Sequence, residues 1–321
     1  MLQIVAIGLG AGAAAALLFA SVRSGAILSI LLFYLAPLPI LIAVLGWSHV
    51  AGLVAAVSAS LALVATFGWS LFFAFLAGVG LPAWWLGYLA LLARPAADGT
   101  FEWYPTGRLV LWSALLGALV VIVAIPVFGT DEESFNAALR AGFERLIQTE
   151  MGTPSGGGQA GGVDTSRLVD FLVAIIPPTA AVLATITNLI NLWLAARVVS
   201  FSGRLRRPWP DIAAMTFPRG AALLLIAALV ASLVGGLPGI AATVLAASLL
   251  TAFGILGFAV LHAATRGMAS RAMLLSGAYA ATLLFGWPIL LMSLIGIAET
   301  LFGLRARLAQ RRRLPPSDDR N

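Results

Sequence analysis

Leu109-Val-Leu-Trp-Ser-Ala-Leu-Leu-Gly-Ala-Leu-Val-Val-Ile-Val-Ala-Ile-Pro-Val-Phe128 contains no charged residue. Wound as a helix at ~1.5 Å per residue, such a stretch matches the ~30 Å hydrocarbon layer of a bilayer. Leu2–Val22, Ala26–Leu45 and Ile240–Leu261 read the same way. In all, ten stretches of about 15 to 29 residues are almost purely apolar, with short polar joints between them. One could be a buried core helix, but so many cannot hide inside a soluble domain of 321 residues. The composition agrees: 61% hydrophobic, 10% charged, mean hydropathy +1.01. A β-barrel would alternate apolar and polar positions, and these runs do not. In hydrocarbon each backbone N–H and C=O must be satisfied within its own segment, so the runs imply helices. The expected fold is all-α: a polytopic transmembrane bundle of about 8–10 spans with one extracytoplasmic amphipathic helix.

The composition also excludes functions. The absence of cysteine removes disulfides, thiolate metal sites and thiol nucleophiles. Two distant histidines, His49 and His262, make a poor ligand set, so no metal is expected. Gly-x-Ser-x-Gly, His-Glu-x-x-His and Walker A motifs are missing, so no catalytic residue, no cofactor and no enzymatic activity is assigned. All 19 basic residues are arginine, and the pI is near 10.9. In a soluble protein this would suggest nucleic acid. Here the arginines gather in loops and at the C-terminus, where membrane orientation and anionic headgroups account for them, and no nucleic acid is expected as partner. Met1-Leu-Gln-Ile lacks a basic n-region and no Ala-x-Ala-like cleavage site follows, so the first span is read as retained.

The chain divides into an N-terminal membrane bundle of about five spans over 1–128, an external segment over 129–166, a second bundle of about four to five spans over 167–304, and a basic tail over 305–321 expected to be disordered. Tight joints at Arg23-Ser24-Gly25, Gly46–His49 and Gly68-Trp69 force antiparallel hairpins. The external segment opens on Thr130-Asp131-Glu132-Glu133, which fits a capping box between Thr130 and Glu133. Phe135, Leu139, Phe143, Leu146 and Ile147 then recur at helical spacing opposite Glu132, Asn136, Arg140 and Glu144, an amphipathic helix leading into the glycine-rich linker Gly152–Gly162. Ala272–Leu304, interrupted at Gly286-Trp287-Pro288, reads as two short spans, because only an even number of crossings leaves Arg271 and Arg305 on one side. Arg197, Arg204, Arg206, Arg207 and Arg219 mark a third basic stretch. The positive-inside rule then places all three stretches and both termini in the cytoplasm of a bacterial inner membrane, with the acidic 129–166 segment outside and Arg23 as the one exception.

Few polar residues fall within the spans. Thr185, Asn188 and Asn191 lie three apart on one face of the sixth. An unpaired amide in hydrocarbon is costly, so this face either joins helices or contacts a solute. Glu299, near the end of the last span, is a solute ligand, a proton relay, or the partner of Arg305 or Arg219. Pro37-Leu38-Pro39 interrupts the second span and Pro177-Pro178 the sixth; each frees backbone carbonyls of the kind that coordinate solutes in transporters. The candidate ligand-binding set is therefore Asn188, Asn191, Thr185, Pro37, Pro39 and Glu299. Gly8, Gly12 and Ala16 recur every four residues on the first span, flanked by Ala11 and Ala15, a surface suited to close helix approach. The neighbour is another span of this chain or a partner protein.

Gly8–Ala20, the Pro37-Leu38-Pro39 break, Pro177 followed by Asn188 and Asn191, Arg197 with its basic loop, Pro210-Asp211, Met215-Thr-Phe-Pro218 and the closing Gly296-Ile-Ala-Glu299 before Arg305 resemble the YybS-like family of predicted bacterial membrane proteins of unknown function. The likeness covers most of the chain. It departs at Glu299, where that closing motif leads one to expect aspartate, and in the external helix and glycine linker, which look like an insertion. The N-terminal part is more distantly similar to the substrate-binding S-components of energy-coupling-factor vitamin transporters and to the rod-shape protein MreD. The first likeness implies a small-solute binder whose Gly8, Ala11, Gly12, Ala15 and Ala16 contact a coupling subunit with ATPases. The second implies a scaffold for envelope-assembly proteins without transport. In both, the lipid bilayer is a partner.

Overall fold

The computed structural model describes residues 1–151 and 165–307; the Gly152–Gly162 linker and all but the first residues of the 305–321 tail lie outside them. The described chain is helical almost throughout. In order it comprises α1 (Leu2–Ala20), α2 (Ile27–Tyr34), α3 (Pro37–Gly46), α4 (His49–Phe67), α5 (Trp69–Phe75), α6 (Leu81–Ala90), α7 (Thr106–Phe128), α8 (Glu132–Met151), α9 (Thr165–Phe201), α10 (Arg219–Ala231), α11 (Gly236–Ala264), α12 (Arg271–Phe285) and α13 (Pro288–Phe302). A small antiparallel hairpin, β1 (Ala93–Pro95) and β2 (Phe101–Trp103), joins α6 to α7 and sets Arg94 opposite Glu102. Six helical stretches are long and apolar enough to cross a membrane: Leu2–Ser24, Ile27–Gly46, Trp69–Ala90, Thr106–Phe128, Ser166–Phe201 and Gly236–Ala264. Shorter apolar helices at His49–Ala65, Arg219–Val234, Arg271–Phe285 and Pro288–Phe302 account for the remaining apolar segments of the sequence. The protein is an all-α polytopic bundle. At 15 residues each, α12 and α13 reach about 22 Å, less than a full hydrocarbon layer.

Internal contacts divide the chain into two compact units. The first contains Met1–Ser113, Ile186–Leu223 and the chain from Leu250 on. Small residues set its helix packing. A Cβ on Gly8 would lie 2.7 Å from Val54 Cβ and 2.8 Å from the Ala51 carbonyl, and one on Gly12 would collide with Ser58 Oγ. So α1 lies directly on α4, with Gly8, Gly12, Ala15 and Ala16 buried and Ala11 half-buried. On α11, Gly254 faces Ile289 and Gly257 meets the Met292 carbonyl, while Gly296 of α13 meets the Phe253 carbonyl. These backbones touch because no side chain separates them. Ser293 Oγ adds a hydrogen bond, 2.7 Å from the Leu250 carbonyl. The apolar stretch of α11 is 72% buried, against 22–39% for the other five candidate spans, as a helix apolar on every side requires.

The second unit contains Ala114–Thr185 and Leu224–Leu249. Ala118, Ala181 and Val244 form its core, and Val121, Ile122 and Leu245 pack around them. The amphipathic helix α8 buries Phe135, whose ring meets Phe128 edge-on at 6.3 Å. Its cap differs from the expected Thr130–Glu133 box. Because α8 begins at Glu132, the capping residue is Asp131. Its carboxylate accepts from Ser134 N at 2.9 Å, and Ser134 Oγ accepts from Asp131 N at 3.3 Å. These Ser134 bonds hold the Asp131 carboxyl below the usual carboxylate range. Glu132 reaches Gly236 N at 2.8 Å, closing the start of α11, and Arg140 pairs with Asp170.

Candidate functional site

The break in the second span can be followed bond by bond. Pro37 and Pro39 carry no N–H, so Phe33 and Leu35 lose their α-helical donors. Shorter-range bonds replace them: Ala36 N donates to Phe33 O at 3.1 Å, and Leu38 N to Leu35 O at 3.0 Å. Leu38 is thereby drawn away from Tyr34, whose carbonyl is left over. Asn191 supplies the missing donor, with Nδ2 at 2.8 Å from Tyr34 O and 2.8 Å from Thr187 O. The amide is 1% exposed, and its Oδ1 is buried without a hydrogen-bond partner. Asn188, one turn earlier, is also buried; Pro37 is buried and Pro39 half-buried. Thr185, in the second unit, turns its hydroxyl back to Ala181 O at 2.8 Å and lies against Gly117. In the structure, therefore, the carbonyl freed by Pro37 and Pro39 is bound by a side chain of α9.

Glu299 has both carboxylate oxygens engaged by Arg305: Oε1 accepts from Nε at 2.8 Å and Oε2 from the backbone N at 2.9 Å. Gly303 in the left-handed conformation (φ 63°) ends α13 and lets the chain turn back for this contact. The same guanidinium donates to Ala213 O at 2.5 Å and to Met215 O at 2.7 Å. One residue pair thus fixes the connector between α9 and α10 onto the end of α13.

That connector, residues 203–218, contains no α-helix, only a 3-10 turn at Ile212–Ala214 capped by Asp211, and is tethered by many side chains. Pro208 and Pro210 keep residues 207–210 out of an α-helix. Arg204 lies 4.7 Å above the Trp47 ring, and Arg197 4.4 Å from Trp209 and 5.6 Å from Trp193. Arg266 holds both oxygens of Asp211, at 2.6 and 2.7 Å, which keeps that carboxyl below its ordinary range. Gly107 leaves room for the Thr216 carbonyl, and Phe217 meets Phe253 edge-on at 5.3 Å. These contacts bring the ends of α3, α6, α7, α9, α11 and α13 together. They also join the three basic stretches that the sequence assigns to one side.

Arg207 differs from its neighbours. It is half-buried, donates to Ala90 O at 3.2 Å and to Thr106 Oγ1 at 3.1 Å, and has no carboxylate partner among the described residues. Loss of solvent lowers its pKa, although a guanidinium stays charged throughout the physiological range. On one side it borders an apolar cavity of about 260 Å³, walled by residues such as Leu45, Leu109, Val110, Leu189, Leu192 and Ile255. On the other lies a more polar cleft of about 310 Å³ that includes Trp103, Asp211 and Thr216. Cavity and cleft share Thr106, Arg207, Pro208, Trp209, Pro210 and Met215.

The helix that lines the cavity is the one the asparagines singled out, but the lining face is Leu189 and Leu192, about 100° further round from Asn188 and Asn191. Neither Pro37, Pro39 nor Glu299 borders it. By sequence, Arg207 belongs with the other orientation-setting arginines. The available signal was its place directly before Pro208-Trp209-Pro210, where it cannot extend along a helix into water. No curated protein and no solved structure matches the chain. A family described as Predicted membrane protein (DUF2232) matches residues 13–300, nearly the whole length, and the chain belongs to that family.

Proposed function

We propose that the protein binds a small amphiphile behind the 203–218 connector, the apolar part in the 260 Å³ cavity and the polar end toward the cleft. The observation that carries this reading is the shared lining: one short segment borders both a greasy cavity and a polar opening. Together the two spaces fall within the roughly 300–1,000 Å³ of ligand sites. Tryptophans such as Trp193 and Trp209 belong to the headgroup layer, where a molecule of both characters resides. The likeness to S-components agrees in kind, since these hold a small ligand within a helix bundle; delivery to a coupling subunit with ATPases would be a further step. If the basic stretches face the cytoplasm of a bacterial inner membrane, the cleft opens toward the inner leaflet.

The test is filling the cavity. In phosphatidylcholine nanodiscs, octanol and octyl phosphate should raise the unfolding midpoint of the wild-type chain above that of Ile255→Trp, since a ligand stabilises whatever it binds. The filled variant cancels effects of partitioning into lipid. Equal shifts in both proteins would contradict the reading.

A second reading, a closed scaffold for envelope assembly, is favoured by the Asn191–Tyr34 bond, which seals the helix break. It requires envelope-assembly proteins to co-purify equally well with Ile255→Trp.

A further inference from the structure

We infer that Arg207 recognises an oxyanion headgroup, so that the occupant of the site is a single-chain amphiphile carrying a phosphate or similar anionic group. The inference rests on the amphiphile reading above and adds the chemistry of the head. Arg207 is a fixed cation taken half out of water, and its bonds go to two neutral oxygens, the Ala90 carbonyl and the Thr106 hydroxyl. A partly desolvated charge without a counter-charge is unfavourable, and folded proteins normally pair it. The contrast with Arg305 is direct: that guanidinium also binds two connector carbonyls, yet Glu299 neutralises it. Asp211, which lines the same cleft, is held by Arg266, and no carboxylate pairs with Arg207 among the described residues. Guanidinium presents five N–H donors, so after the bonds to Ala90 and Thr106 others remain for a ligand. Its planar fork matches phosphate and carboxylate oxygens.

Position selects the amphiphile over a free ion. Arg207 belongs to the wall of both the apolar cavity and the polar cleft, so a head bound there has somewhere to put its chain. The two bonds already present orient the fork and prevent it from swinging into bulk water. Exposed Arg206 on the connector and Arg219 at the start of α10 would raise the local concentration of anions without binding them specifically.

The experiment compares headgroups on a constant chain, using the full-length protein in phosphatidylcholine nanodiscs and thermal stabilisation relative to Ile255→Trp. Octyl phosphate should bind at least about tenfold more tightly than octanol or octyltrimethylammonium, as expected for charge-assisted hydrogen bonds. Inorganic phosphate at equal concentration should give no shift. Arg207→Gln should reduce octyl phosphate to the level of octanol, and Arg207→Lys should retain part of the preference by keeping the charge without the fork. The headgroup series on wild-type protein decides the matter even if Arg207→Gln fails to fold. Octyl phosphate and octanol binding equally, both sensitive to Ile255→Trp, would overturn the role of Arg207 and leave the amphiphile site standing. No chain-bearing probe distinguishing wild type from Ile255→Trp would remove the site itself. Inorganic phosphate as effective as octyl phosphate would identify a free anion and refute the amphiphile.

Discussion

Replacing Glu299 by alanine isolates the pair that closes the bundle around the connector. The side chains of Arg305 and Glu299 are 16% and 10% exposed, so the interaction is largely shielded from solvent. Removing one partner of a buried ion pair costs about 3–5 kcal/mol, because the other charge is stranded. Arg305 keeps two carbonyl acceptors, Ala213 and Met215, which places the expected loss near the lower end, about 3 kcal/mol. Glu299→Gln preserves shape and one good acceptor and should lose about 1–2 kcal/mol. The assay is reversible unfolding of the full chain in mixed dodecyl maltoside and SDS micelles, with Arg305→Ala and the double variant completing a cycle. A coupling of roughly 1–3 kcal/mol is expected between the two positions. Hydrogen exchange should accelerate at 213–217, where the clamp holds the connector. If Glu299→Ala unfolds within about 0.5 kcal/mol of wild type, the level of a neutral surface change, the carboxylate is not engaged structurally and a solute or proton role returns.

Other consequences are open to measurement in the same system. Gly12→Ala should destabilise by about 1–3 kcal/mol because its methyl meets Ser58, whereas Gly10→Ala, with nothing within 4 Å, should be neutral or stabilising by up to ~1 kcal/mol. Asn191→Leu should cost roughly 0.6–1.7 kcal/mol and speed exchange around Tyr34, since the Tyr34 bond is lost while a partnerless oxygen is removed with it; an unchanged exchange rate would deny the bond. Asp211 has its carboxyl depressed in the folded state by Arg266, so its contribution is complete above the ordinary carboxylate range and fades as pH falls through and below about 4; Asp211→Asn should flatten that acid limb of the midpoint-versus-pH curve. The chain has no natural cysteine, so single cysteines at Ser48, Ser202 and Ser270 should be labelled from one face of the membrane and those at Ser24 and Trp287 from the other.

Fold class was legible because hydrocarbon tolerates few backbone solutions, and each apolar run of the sequence returns as a helix. The second span reads as broken from Pro37 and Pro39 alone, since a missing N–H is a covalent fact. The donor that satisfies that break was not legible: Asn191 stands 157 positions from Tyr34, and no local pattern reports such a meeting. Glu299 with Arg305 lies within one helix end, so the sequence could offer that pair as one alternative. The capping residue shifted by one because Thr130, Asp131 and Ser134 are all capable caps and only the start of α8 chooses between them. The sequence marks Arg207 only as one basic residue among several, for a different reason. Its chemistry arises because the connector's own carboxylate, Asp211, is taken by Arg266, and that allocation exists only after Ala90, Thr106 and the connector have come together.

The most direct measurement is the mass of the full chain released from nanodiscs made with native lipid extract. One anionic amphiphile should remain bound to the wild-type protein, and both Ile255→Trp and Arg207→Gln should appear at the bare mass. A wild-type chain that carries nothing, or variants that retain the same adduct, would contradict an amphiphile site behind the connector.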